Sequence, residues 1–165
     1  MLTGLPPLVS SSTRLLILGS FPGVASLAAQ QYYGHPQNQF WRILQAIWPS
    51  ELGSTAATSY RIRSEWLLSK KLGLWDVYAS CEREGSLDSR IRRAVRNDLA
   101  GLNQLCPRLG AIAHNGGESF KHARHSSALG LPVYRLPSTS PANASWSFER
   151  KFVAWREVFE VEGLI

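Results

Sequence analysis

The sequence predicts a single α/β domain spanning residues 1–165: a three-layer α/β/α sandwich around a central, mainly parallel four-stranded sheet. Three observations carry this expectation. Short apolar runs closed by Gly, Pro, Ser or Asn recur at 14–20, 73–80, 109–115 and 132–138. Segments with helical spacing separate them, and strands alternating with helices imply parallel pairing. The runs are apolar at most positions, as befits strands covered on both faces.

The elements follow in order. "RLLILGS" (14–20) reads as a buried first strand stopped by Gly-Ser and Phe-Pro-Gly, and "FWRILQAIW" after Asn38 as a helix. "SEWLLSKKLG" (64–73) reads as a short helix ended by glycine, and "GLWDVYAS" (73–80) as a second strand. Over 88–105, "DSRIRRAVRNDLAGLNQL" carries Ile91, Val95, Leu99 and Leu102 at helical spacing behind an Asp88 N-cap, so the pattern predicts a long helix. "LGAIAHN" (109–115) is the third strand, "GGESFKHARHS" a helix, and "PVYRLPS" (132–138) the fourth strand. A last helix begins at Ser147, with Phe148, Phe152, Trp155 and Phe159 as its core stripe.

A chain of this length buries roughly 70% of the surface its unfolded form exposes, enough for one core. Its composition is 44% hydrophobic and 18% charged, which excludes a disordered or low-complexity chain. Cys81 and Cys106 have neither metal-site spacing nor disulfide-scaffold density, so reduced thiols are expected. No apolar run approaches the ~20 residues of a membrane span. The N-terminal stretch lacks a basic n-region and reads as structure rather than a signal peptide. The expected setting is cytoplasmic, and nucleoid-associated in a bacterium. The net charge of +6 favours an anionic partner, and 14 of the 18 basic residues are arginine, whose fork matches phosphate.

In open parallel sheets ligands bind beyond the carboxyl ends of the strands. That rule selects "GSFPG" (19–23), "DVYAS" (76–80), "HNGG" (114–117) and "PSTSPAN" (137–143). Phosphate-loop and dinucleotide fingerprints are missing, and neither Ser20 nor Ser140 lies in a nucleophile elbow that would partner His35. His122 and His125 are read as a solvated helix face rather than a metal pair. On residue type alone Asn38 is either a helix cap or a water-orienting amide, and Asn115 either a turn residue or a base reader.

"GSFPG", "YYGHPQNQFW", "GSLDSRI", "HNGG" and "STSPAN" occur in this order between about residues 14 and 160. Together they resemble the uracil-DNA glycosylase superfamily, and within it the hypoxanthine-DNA (deoxyinosine) glycosylase family. The resemblance implies a monofunctional glycosylase that flips out a deaminated base and hydrolyses its N-glycosidic bond in base-excision repair, leaving an abasic site. Phe21 stands where mismatch-specific relatives carry a water-activating asparagine; the resemblance transfers that role to Asn38. It further implies Asn115 in base recognition or catalysis, and Gly19, Ser20, Phe21, Tyr33 and His35 around the base. Ser138, Thr139, Ser140, Pro141, Ala142 and Asn143 are implied at the DNA backbone and the vacated stack. The implied partner is double- or single-stranded DNA, bound by a monomer without metal or organic cofactor. The rival readings are a uracil or mismatch-thymine enzyme of the same superfamily and a catalytically silent DNA-binding module.

Overall fold

The computed structural model describes residues 1–53 and 58–165. Its central sheet has the order β3-β2-β6-β7, formed by Leu15–Gly19 (β2), Leu72–Asp76 (β3), Ala111–Asn115 (β6) and Val133–Leu136 (β7). All three pairings are parallel, with Leu15 opposite Leu72 on one side and Ala111 on the other. From β2 the chain moves outward to β3, then crosses back to β6 on the other flank of β2. The reversal falls at the carboxyl end of β2, where such sheets place ligands.

Alternate residues of β2 face two cores. Leu15 and Ile17 pack with Phe40–Ile47 (α2), Leu67 of Tyr60–Ser69 (α3) and Trp155 and Phe159 of Phe148–Val161 (α7). Leu16 and Leu18 face Leu102, Cys106 and Leu109, together with Phe21, Val77 and Tyr78. On that side lie Leu102–Leu105 (α4) and the short helices Gly117–Phe120 (α5) and Ala123–Ser127 (α6). His114 fastens those two helices to the sheet, with Nδ1 2.7 Å from Ser119 Oγ and Nε2 2.8 Å from Ser126 Oγ. Ser119 Oγ already donates to Leu18 O, so Nδ1 carries the proton and Nε2 accepts. Burial pushes His114 down to about 4, which keeps this tautomer neutral.

Four expected elements differ. The run 73–80 is not one strand: the chain turns at Val77, and Tyr78–Glu82 (β4) leaves the parallel sheet. β4 forms a second, antiparallel sheet of order β1-β4-β5 with Leu2–Thr3 (β1) and Arg92–Arg96 (β5). The long helix expected over 88–105 is a 3-10 turn at Asp88–Arg90, then β5, then α4. Four-residue apolar spacing suits a helix, but β4 offers an open hydrogen-bonding edge, and tertiary pairing overrides local propensity. The register slips between Ser80 and Glu82, and Arg93 has φ 51° there, a bulge-like irregularity. Asp88 caps no helix; it accepts from Ser20 Oγ at 2.7 Å. The expected helix over 64–73 begins earlier, at Tyr60, where Ser59 caps it by accepting from Ile62 N, and the expected helix over 116–126 is split into α5 and α6. The last helix starts where expected, with Ser147 as its cap accepting from Arg150 N.

Candidate active site

The last residues of β2, β3 and β6 are Gly19, Asp76 and Asn115, and they meet where the sheet reverses. Gly19 pairs with Asp76 across the ladder. A Cβ on Gly19 would stand 2.5 Å from Asp76 Oδ1 and 3.3 Å from the Tyr33 hydroxyl, so only glycine lets these groups converge. Gly19, expected around the base, lies at this junction.

Asn115 is the knot of the cluster. Its Nδ2 donates to the Tyr33 hydroxyl at 3.1 Å and to Thr139 Oγ1 at 3.0 Å, and its Oδ1 accepts from Thr139 N at 3.1 Å. Asn115 and Thr139 are both buried. Both amide hydrogens of Asn115 are thus engaged, and its Oδ1 keeps a second lone pair. Gly116 follows with φ 97°, and a Cβ there would lie 3.0 Å from Ser138 Cβ, so the chain needs glycine to bring β6 against the 137–143 loop.

Asn38 is joined to this knot through the backbone. Thr139 O accepts from Gln39 N at 3.0 Å, which seats the start of α2 beside the Asn115–Thr139 clasp. The N-cap position is Gln39 rather than Asn38, yet Asn38 Oδ1 accepts from Phe40 N at 3.0 Å. That bond fixes the half-buried amide, while its carbonyl oxygen retains a second lone pair. Gln39 Oε1 also accepts from Lys151 Nζ at 2.9 Å, a buried ammonium on α7 whose pKa desolvation lowers.

The 137–143 loop is folded by its own groups. Ser138 Oγ accepts from Ser140 N, Ser140 Oγ from Ala142 N, and Ser138 O from Asn143 Nδ2. Pro141 and Ala142 project as an exposed tip. The loop is thus set in shape before any ligand arrives.

The remaining expected pocket residues separate. Tyr33 belongs to the cluster: it sits at φ 54°, its ring lies 4.3 Å from Phe40, and its hydroxyl meets Asn115. A non-glycine residue in the left-handed region costs energy, a strain common at functional sites. Phe21, expected as a pocket wall, is instead a core residue on the opposite face of the sheet from Tyr33, with the Arg83 guanidinium 5.3 Å over its ring. Its side chain is apolar, and the second core had room for it. His35, expected near the base, is exposed and turns back on its own chain, Nδ1 accepting from Gln37 N. Ser20 faces the hairpin loop and Asp88. Tyr32 is core, its hydroxyl donating to Pro6 O at 2.7 Å.

Asp76 was overlooked, although "DVYAS" was marked as a segment. The carboxyl is 5% exposed, and its Oδ2 is buried with no hydrogen-bond partner among the described residues. Burial pushes its pKa up to about 7, the nearby Asp88 charge adds to this, and Arg83 opposes it. An acid closing an apolar strand was the available signal. Among the described residues no group of three or more His, Cys, Asp or Glu side chains is placed to hold a metal ion. His122, read as solvated, instead bonds the Tyr78 hydroxyl at 2.8 Å. Among the described residues no helix is long and apolar enough to cross a membrane.

The carboxyl edge of a four-stranded parallel sheet thus gathers Gly19, Asn115 and a Ser/Thr loop, with Asn38 seated beside them, and a family model defines the class of this chain. The model for the uracil DNA glycosylase superfamily covers residues 6–159, so the chain belongs to that superfamily. Nearer relatives narrow the comparison. The chain is 38% identical over 157 residues to a hypoxanthine DNA glycosylase of Methanosarcina barkeri, covering 95% of this chain and 97% of the relative. It is 36% identical over 156 residues to the hypoxanthine DNA glycosylase of Methanosarcina acetivorans, covering 94% and 96%. The solution NMR structure of a candidate uracil DNA glycosylase from Methanosarcina acetivorans superposes with a TM-score of 0.85 at 35% identity, covering 98% of both chains.

Proposed function

We propose that this protein is a monofunctional DNA glycosylase that extrudes a deaminated base, chiefly hypoxanthine from deoxyinosine, and releases it by hydrolysis. The observation that carries this reading is the seating of Asn38 beside the Asn115–Thr139–Tyr33 knot at the carboxyl edge of the sheet. The similarity to two hypoxanthine DNA glycosylases over nearly the whole chain supports the choice of base.

The chemistry asks for positioning more than for a strong base. Water oxygen bonds to C1′ as the C1′–N9 bond breaks, the bonding pair leaves on the base, and the proton lost by water and the one gained by the base balance through solvent. Asn38 Oδ1, fixed by Phe40 N, uses its free lone pair to accept from that water and aim it. Asn115 organises the pocket by holding the Tyr33 hydroxyl and Thr139 in place. No lysine lies at a motif position, so a Schiff-base lyase step is not part of this reading.

Two surfaces take the DNA. The 137–143 loop presents Ser138, Ser140 and the Pro141–Ala142 tip to phosphates beside the vacated stack. The β4–β5 hairpin presents Arg90, Arg92, Arg93 and Arg96, all exposed, as a backbone grip. Its connecting loop is tied to the segment after β2: Arg83 donates to Pro22 O, and Ser86 Oγ accepts from Val24 N. The arginines therefore keep a set position relative to the pocket.

The test is direct. Duplexes carrying one deoxyinosine, deoxyuridine, deoxyxanthosine or mismatched thymidine are incubated with the protein and then treated with alkali. Deoxyinosine should break fastest. Uracil far ahead of hypoxanthine would place the protein with the uracil enzymes, and no cleavage of any duplex would make it a binding module.

A further inference from the structure

Lys151, in the first turn of α7, is a lysine almost out of contact with water. It is 2% exposed, and its Nζ donates to Gln39 Oε1 at 2.9 Å. Among the described residues no carboxylate lies within ion-pairing distance of it. A buried ammonium is ordinarily paired with an acid, because a neutral amide returns only part of the hydration that the charge has lost. An apolar side chain of similar length would fill the same space at lower cost. The charge therefore counts against stability, and what it secures in exchange is a hold on Gln39.

Gln39 stands between Asn38 and Phe40 and is gripped at two points. Its backbone N–H donates to Thr139 O at 3.0 Å, and its side chain accepts from Lys151. One turn further along α7, Trp155 Nε1 donates to Pro137 O at 3.0 Å, at the root of the 137–143 loop. The helix thus fastens both segments that meet at the Asn115–Thr139 clasp. The side-chain bond of Asn38 runs to Phe40 N, two residues on, and ties the amide to the start of its own helix. The direction of Asn38 Oδ1 therefore follows wherever Gln39 is held.

We propose that Lys151 is a positioning residue for the glycosylase reaction: through Gln39 it fixes the start of α2 and so the aim of Asn38 at the attacking water. This rests on the glycosylase reading above and adds to it a residue that touches neither base nor sugar. Gln39 is half-buried, so without the ammonium its carbonyl turns to water and the helix start is free to shift. A displacement of about 1 Å near reacting groups can cost roughly a hundredfold in rate.

Lys151→Met keeps the length and the apolar stem and removes the charge and the donor. The amide protons of Gln39 and Phe40 should then exchange at least about tenfold faster than in the native protein, while those of β2 stay protected. Single-turnover release of hypoxanthine at saturating enzyme should fall about tenfold or more, with affinity for an abasic-site duplex within about threefold of native. The urea midpoint should stay level or rise. Gln39→Ala breaks the same bond from the other side and leaves the ammonium alone. It should lower the urea midpoint, yet slow the reaction by a similar factor. The double variant should be within about twofold of the slower single variant. Equal rate losses with opposite effects on stability are what a merely structural lysine would not give. The inference is overturned if Lys151→Met fails to fold or loses stability, if exchange at Gln39 and Phe40 is unchanged, if either single variant keeps the native rate, or if the two losses multiply. Failure of the broader reading looks different: the native protein itself then cleaves no duplex, whatever the exchange rates at Gln39 and Phe40.

Discussion

Two neighbouring regions of this molecule are built in opposite ways. At the carboxyl edge of the parallel sheet, Asn115 and Thr139 are buried and bonded to one another, and Asp76 is buried with an oxygen that has no hydrogen-bond partner among the described residues. Two residues past Asp76 the chain starts β4, whose partner β5 is exposed at all five positions and carries three arginines. Among the described residues one of them forms an ion pair, Arg93 with Glu82 at 3.7 Å, a surface pair of little energetic weight. The contrast teaches how one strand exit divides the work. Bond cleavage depends on groups held to fractions of an ångström, so they are dry and cross-linked. Phosphate attraction is long-ranged and screened by salt, so it tolerates flexible side chains in water.

Breaking the buried region should have the largest effect. Asn38→Ala should lower single-turnover release by about 10²–10⁴-fold, since in the proposed mechanism it removes the group that aims the water. The folded signal in circular dichroism should persist. Near-native rates would remove Asn38 from the mechanism.

The next largest effect concerns stability and sharpens the same contrast. Asp76 has a pKa raised in the folded state from 3.8 to about 7. Between those values the folded state binds more protons than the unfolded one, so this group costs stability increasingly as pH rises and costs it fully above pH 7. Asp76→Asn escapes that penalty. Its advantage over the native chain in urea unfolding should be absent below about pH 4 and grow to as much as ~4 kcal/mol above pH 7. An advantage independent of pH would mean that the carboxyl does not titrate in this window.

The smallest effect belongs to the exposed region. Arg92→Ala with Arg96→Ala should leave the single-turnover rate at saturating enzyme unchanged and weaken binding to an abasic-site duplex. The slope of log affinity against log salt should fall by about 2. An unchanged slope would take the hairpin off the DNA, and a collapse in the saturated rate would erase the division between the two regions.

Much of this was legible in the chain itself. Runs such as "LLILG" and "AIAHN" can be satisfied only as strands covered on both faces, and the glycines and asparagines closing them mark the carboxyl edge. Gly19, Tyr33, Asn38, Asn115 and Thr139 are marked by the motifs and their resemblance, and the structure brings them together at that edge. Phe21 and His35 misled because type and order say nothing of which way a side chain turns. Asp76 went unnoticed because an isolated acid is ordinary in sequence and becomes unusual only once it is enclosed.

The amino-acid sequence by itself determined the alternation of elements, the parallel sheet and the positions where the chain turns at its edge, because these follow from local periodicity and turn chemistry. Tertiary structure alone decided that residues 92–96 pair as a strand and that one buried carboxyl is left holding a proton near neutrality. Both depend on what distant segments offer: an open edge on β4 in the first case, and the dry surroundings of Tyr32, Tyr33 and Asp88 in the second.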